Sequence, residues 1–145
     1  MVDVRTEIII NKPLDIVAEY TADPDNAPEW YENIKSAEWL TPRFLEVGSK
    51  IAFAAYFLGN KLAYTYEVKL YVPNQKLIMQ TAEGPFPMET TYAWYPVGEG
   101  KTRMILRNSG QLLGISKWLR PFIAAMMKRA NKKDLKNLKE MLESV

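Results

Sequence analysis

Residues 61–72 read Lys61-Leu62-Ala63-Tyr64-Thr65-Tyr66-Glu67-Val68-Lys69-Leu70-Tyr71-Val72. Glu67 and Lys69 share one parity, and Leu62, Tyr64, Tyr66, Val68 and Leu70 the other. The segment therefore predicts a strand with one solvated face and one inward, apolar and aromatic face. The same period of two runs through 34–40, 49–58, 76–83, 87–95 and 102–109. Val47-Gly48, Gly59-Asn60, Pro73-Asn74-Gln75, Gly84-Pro85 and Gly98-Glu99-Gly100 supply turn residues between these runs. Connections this short leave no room for crossover helices, so the six strands are expected to pair as an antiparallel meander.

Outward from the meander, residues 2–10 alternate and then run apolar and β-branched, which predicts a further strand. Pro13 suits a first helical turn, and Leu14, Val17 and Ala18 share a helical face up to Tyr20. Asp23-Pro24-Asp25-Asn26 is turn and N-cap chemistry, followed by a second short helix over 27–31. After Gly114 the helical period returns. Trp118, Leu119, Phe122, Ile123, Met126, Ala130, Leu135, Leu138, Met141 and Leu142 mark one stripe of a helix over 115–143, about 40 Å long at 1.5 Å per residue. Pro121 is expected to kink that helix or to mark the start of its main segment. The order is strand, two short helices, six strands and one long helix: an α+β chain forming a single domain over 1–145.

The 145 residues carry 19 Lys and Arg against 17 Asp and Glu, with neither His nor Cys. Disulfides, thiol nucleophiles, Cys/His zinc sites, Ser-His-Asp triads and imidazole acid–base steps are thereby excluded. No cofactor or metal is expected. The first 50 residues hold five basic against ten acidic side chains, a net −5, whereas 117–145 hold eight against three, a net +5. Lys128, Arg129, Lys132, Lys133 and Lys136 form a basic helix face, but the overall +2 and the absence of interleaved aromatics there argue against nucleic acid. No run reaches the roughly 18–20 apolar residues of a spanning helix, and the N-terminus lacks leader features, so no stable membrane insertion and a cytoplasmic location are expected.

The inward rows predict what lies between sheet and helix. Beside 61–72, they place Ile51, Phe53, Ala55 and Phe57 on one neighbour and Leu77, Met79 and Thr81 on the next. Met88, Thr90, Tyr92 and Trp94 follow, then Met104, Leu106 and Asn108. Such rows fit either a solid core with aromatic polar tips bonded locally or a largely apolar small-molecule cavity with few polar anchors. Concentration of the hydroxyls on one face favours the cavity, as do the adaptable side chains of Met79, Met88, Met104, Met126 and Met127.

The stretch Ile16-Val17-Ala18-Glu19-Tyr20-Thr21-Ala22-Asp23-Pro24-Asp25-Asn26-Ala27-Pro28-Glu29-Trp30 resembles the helix, Asp-Pro turn and tryptophan of the SRPBCC, or START-like, superfamily in its polyketide cyclase/dehydrase-like branch. Val47-Gly48, Gly84-Pro85-Phe86-Pro87, Tyr92-Ala93-Trp94 before Pro96, Gly100-Lys101-Thr102 and Leu135-Lys136-Asn137-Leu138-Lys139 fit in order, so the resemblance spans essentially the whole chain. It implies a helix-grip fold: a curved antiparallel sheet of six to seven strands wrapped around the long C-terminal helix, with two short helices between the first two strands. It also implies that Trp30 and Tyr31 close one end of the cavity, as a gate with Phe57, Gly84, Phe86 and Pro87 or as a cap on the core. Superfamily members bind hydrophobic ligands, and some are cyclases, hydrolases or cochaperones.

The leading expectation is a binding protein for a small aromatic, polycyclic or lipid-like molecule. Its candidate ligand-binding residues are Trp30, Phe53, Phe57, Tyr64, Tyr66, Met79, Phe86, Met88, Tyr92, Trp94, Asn108, Phe122 and Met126. The alternatives are a cyclase- or dehydratase-like enzyme using Tyr64, Tyr66 or Tyr92 as hydrogen-bond donors, and an adaptor docking on a protein or membrane through the basic helix. Glu67 and Glu89 are expected to point outward, so no acid pair is predicted. Oligomeric state stays open.

Overall fold

The alternation over 61–72 becomes the longest strand of a seven-stranded antiparallel sheet. The computed structural model describes residues 1–57, 59–111 and 116–145, with Phe57 through its backbone alone. The strands are β1 Val2–Ile10, β2 Ile34–Trp39, β3 Lys50–Phe57, β4 Asn60–Val72, β5 Lys76–Glu83, β6 Met88–Pro96 and β7 Thr102–Gly110, in the spatial order β1-β7-β6-β5-β4-β3-β2. Helices α1 (Leu14–Ala22) and α2 (Ala27–Trp30) lie between β1 and β2, joined by a 3-10 turn at Pro24–Asn26. A second such turn, Lys117–Leu119, leads into α3 (Arg120–Glu143). Among the described residues no helix is long and apolar enough to cross a membrane.

The sheet departs from simple alternation at register shifts between Ile34 and Ser36, between Thr65 and Tyr66, and between Val68 and Leu70. Val68 pairs with Met79 but Leu70 with Ile78, so Lys69 is an extra residue in β4. Beyond such a bulge the faces exchange. Leu70, expected inward, is exposed, and Tyr71 packs on the core in its place. The long helix also starts later than its stripe. Pro121 sits in its first turn, where the missing N–H is no loss, so the proline marks the start rather than a kink. Trp118 and Phe122, expected on the inward stripe, are largely exposed.

The core fills one half of the space beneath α3. Leu135 and Leu138 of α3 meet Ile51, Val68, Leu77, Met104 and Leu106 from the sheet and Val17 from α1, all essentially without solvent contact. Each such aliphatic side chain contributes about 1.5–3 kcal/mol by leaving water. Trp94 belongs to this packed half, its Nε1–H donating to Thr21 Oγ1 at 2.9 Å. A smaller cluster, Val2, Val4 and Ile123 with Phe86 and Met127, tethers the start of α3 to β1. Between the two clusters the sheet and helix do not meet.

Candidate functional site

The gap is a cavity of about 510 Å³. Phe53 (β3), Tyr64 and Tyr66 (β4), Met79 (β5), Met88, Thr90 and Tyr92 (β6) and Asn108 (β7) line its sheet side. Met126, Met127, Ala130, Asn131 and Asp134 face them from α3, and Phe86, Tyr31 and Gly59 line it from connecting segments. Nine of the thirteen residues expected at a ligand site are therefore brought together: Phe53, Tyr64, Tyr66, Met79, Phe86, Met88, Tyr92, Asn108 and Met126. Trp30 and Trp94 are not among the lining. Both are fully packed in the core, where their size serves the fold. Phe122 points away into solvent, and the Phe57 side chain lies outside the described residues.

The sheet-side hydroxyls are not equivalent. Thr90 Oγ1 donates its only proton to Asn108 Oδ1 at 2.6 Å and lies 2.7 Å from Tyr66 Oη. With that proton engaged, Thr90 is the acceptor and the Tyr66 phenol the donor. Tyr66 and Asn108 are thus tied into a chain, and neither the Tyr66 proton nor Asn108 Oδ1 is idle. Tyr92 and Tyr31 share a hydrogen bond of 2.8 Å, which leaves one phenolic proton from the pair. Tyr64, held against Phe53 and Tyr66 with ring centroids 5.6 and 5.0 Å away, has no hydrogen-bond partner among the described residues. Of the three tyrosines proposed as donors from the sequence, it alone presents an unengaged hydroxyl. Burial pushes the Tyr66 phenol up to about 12 and also raises Tyr64, Tyr31 and Tyr92 well above the ordinary phenol value. All four are neutral donors or acceptors near pH 7, not bases.

The helix side carries what the sequence reading passed over. Asn131 and Asp134 are 7% and 4% exposed, and both line the cavity. Asp134 Oδ1 accepts the Glu32 backbone N–H at 3.0 Å, and one turn along, Asn137 Nδ2 donates to the Trp30 carbonyl at 3.1 Å. These two bonds satisfy backbone groups at the end of α2 that the short helix leaves open, and they fix the segment that carries Tyr31. Trp30 stacks on Tyr31 at 4.0 Å between centroids, holding the phenol over the cavity from behind. Burial lifts the Asp134 carboxyl from 3.8 to about 6, only partly offset by the Glu32 N–H. Asn131 Nδ2 is buried with no partner among the described residues. The signal for both residues was present: 123, 127, 130, 131, 134, 135 and 138 form one inward helical stripe. Reading polar residues as outward hid it.

On the far side of Tyr31 and Asp134 lies a polar surface groove formed by α2 and α3, including Glu29, Glu32, Lys133 and Asn137. Tyr31 and Asp134 border both spaces and so form a partition between them. Among the described residues no three His, Cys, Asp or Glu side chains cluster to hold a metal ion.

A curved antiparallel sheet closed by a long C-terminal helix over an interior cavity defines the START-like helix-grip class. The family profile described as polyketide cyclase / dehydrase and lipid transport matches residues 1–143, and the chain belongs to that family. Solved structures agree on the fold. TTHA0849 from Thermus thermophilus superposes with a TM-score of 0.83 at 21% identity, covering 98% of this chain and 97% of its own. The Zhui aromatase/cyclase from Streptomyces sp. R1128 does so with 0.81 at 15%, covering 97% and 93%. A START superfamily protein from Mycobacterium smegmatis follows with 0.80 at 16%, covering 98% and 99%. Among curated proteins no sequence relative matches.

Proposed function

We propose that the protein binds a small, mostly apolar molecule bearing one or two oxygen functions, held between the sheet and α3. The carrying observation is the cavity of about 510 Å³, which falls in the usual range for small-molecule sites. Its aromatic and Met walls carry the Tyr64 hydroxyl, one proton of the Tyr31–Tyr92 pair and the Asn108 amide nitrogen as neutral donors, with the carboxyls of Glu89 and Asp134 also at the lining. Neutral donors beside carboxyls suit a carbonyl or phenol oxygen better than an anion, because an anion would enter at a large desolvation cost. Native mass spectrometry and thermal-shift titration with aromatic and polycyclic ketones and phenols test this. Parent protein is expected to bind one molecule per chain, and Ala130→Phe, which fills the cavity, is expected to lose binding while remaining folded. Equal binding by the filled variant overturns the reading.

A second reading, cyclase- or dehydratase-like turnover, is favoured by one observation: a carboxyl titrating near 6 borders the cavity beside neutral phenols. In that reading Asp134 takes a proton from carbon next to a ketone, and a phenol hydrogen-bonds to the oxygen on which charge develops. Product formation from a poly-β-ketone substrate that is lost in Asp134→Asn supports it. Tight binding without turnover leaves the binding reading alone.

A further inference from the structure

Between residues 108 and 133 the sequence contains six cations, Lys117, Arg120, Lys128, Arg129, Lys132 and Lys133, and no acid. Into this stretch fall several exposed large apolar side chains. Trp118 is 80% exposed and Phe122 63%, with Leu119 and Met126 also open to solvent. Residues 118, 122 and 126 follow one another at helical spacing, and Met126 lines the cavity. The opposite side of the same turns, Ile123 and Met127, packs on Val2, Val4 and Phe86, so the apolar stripe is left outside by a firmly seated helix. Along its own face the stripe continues as Arg129 and Lys133, at i+7 and i+11 from Phe122. Of the six cations only Lys133 has an ion-pair partner among the described residues, Glu32.

We propose that the start of α3 is a docking surface for an anionic lipid bilayer, entered by Trp118, Leu119 and Phe122. Interfacial segments bury their apolar side about 5–10 Å deep, with Trp and Phe at the headgroup boundary and Lys or Arg above it. Arg129 lies about 10 Å along the helix from Phe122 at 1.5 Å per residue, which sets it at headgroup level when the tip is inserted. A two-fold pairing with a second copy would instead place this cationic patch against itself. This docking surface stands independently of what the cavity holds.

The test is co-sedimentation of the full-length protein with phosphatidylcholine vesicles, with and without about one-third phosphatidylserine, at low and high salt. Binding to the anionic vesicles is expected, weakened by salt as screening demands. Trp118→Ala with Phe122→Ala, and separately Lys128→Glu with Arg129→Glu, each weaken it by about tenfold or more, since each cation near such a surface adds roughly fivefold. These positions are exposed, so an unchanged melting temperature verifies the fold of each variant. No sedimentation, equal binding to neutral vesicles, or binding retained by both double variants overturns the proposal. So does a concentration-dependent dimer, or an oligonucleotide complex, that forms where vesicles do not bind and is abolished by the same substitutions.

Discussion

Replacing Asp134 by Asn is expected to make the protein more stable, and increasingly so as pH rises. The unfolded chain releases this proton near 3.8, whereas burial holds it in the folded protein up to about 6. Between those values the folded state binds more protons than the unfolded state, so stability falls as pH climbs through the window and levels off above it. The total is about 3 kcal/mol at 1.36 kcal/mol per pH unit. Asn keeps the acceptor that receives the Glu32 N–H and removes the titration. The difference between Asp134→Asn and parent should grow from about 1 kcal/mol at pH 4.5 to about 3 kcal/mol by pH 7. For a chain of this size that is a rise of about 10 °C in melting temperature. Asp3, Glu67 and Glu143, held down by Arg107, by Lys69 and by the Asn11 N–H with Lys139 respectively, impose the opposite slope. They do so in both proteins and cancel in the difference. Urea unfolding followed by tryptophan fluorescence at pH 4.5, 6 and 7.5 measures it, with equal denaturant slopes as the check on comparability. A variant no more stable than parent at pH 7.5, or a difference that does not change with pH, refutes the assignment of Asp134 as a strained interior acid.

The hydrogen-bond assignments and packing set the outcomes of five further substitutions. Tyr66→Phe should cost about 1 kcal/mol, because Thr90 loses its donor, whereas Tyr64→Phe should leave urea stability within about 0.5 kcal/mol yet weaken ligand binding by calorimetry. Trp94→Phe removes the only indole bond to Thr21 and opens a void in the packed half, with an expected loss of about 2–4 kcal/mol in the same unfolding assay. Gly110→Ala would bring a Cβ to 2.9 Å from the Pro87 carbonyl, so a loss of about 1–3 kcal/mol is expected, while Gly84→Ala presses on the Tyr64 side chain instead and should register in ligand affinity.

Most of the architecture was legible because strand period, turn residues and helix stripe all point to one arrangement. Each strand boundary falls within about two residues of its expected place. The bulge at Lys69 was not legible, since a lysine is an ordinary outward residue until its partner strand shows it to be one too many. Tyr64, Met79 and Tyr92 were found by parity alone. Asp134 and Asn131 were missed because polarity was allowed to outweigh helical position, although a buried polar residue is the more informative observation. The Tyr31–Tyr92 bond joins residues 61 apart in the chain, and no local pattern encodes such a meeting. The exposure of Trp118 and Phe122 likewise depends on where α3 begins, which Pro121 decides.

The sheet order has a consequence for synthesis. Every strand from β2 to β7 lies beside its neighbour in the sequence, but β1 pairs only with β7, Thr6 opposite Leu106. On the ribosome the Ile-rich first strand therefore emerges about 100 residues before its mate, a wait of about 5–20 s at common elongation rates. During that interval its unpaired edge is open to any chaperone or stray strand within reach, and the last helix cannot settle until the two ends have met.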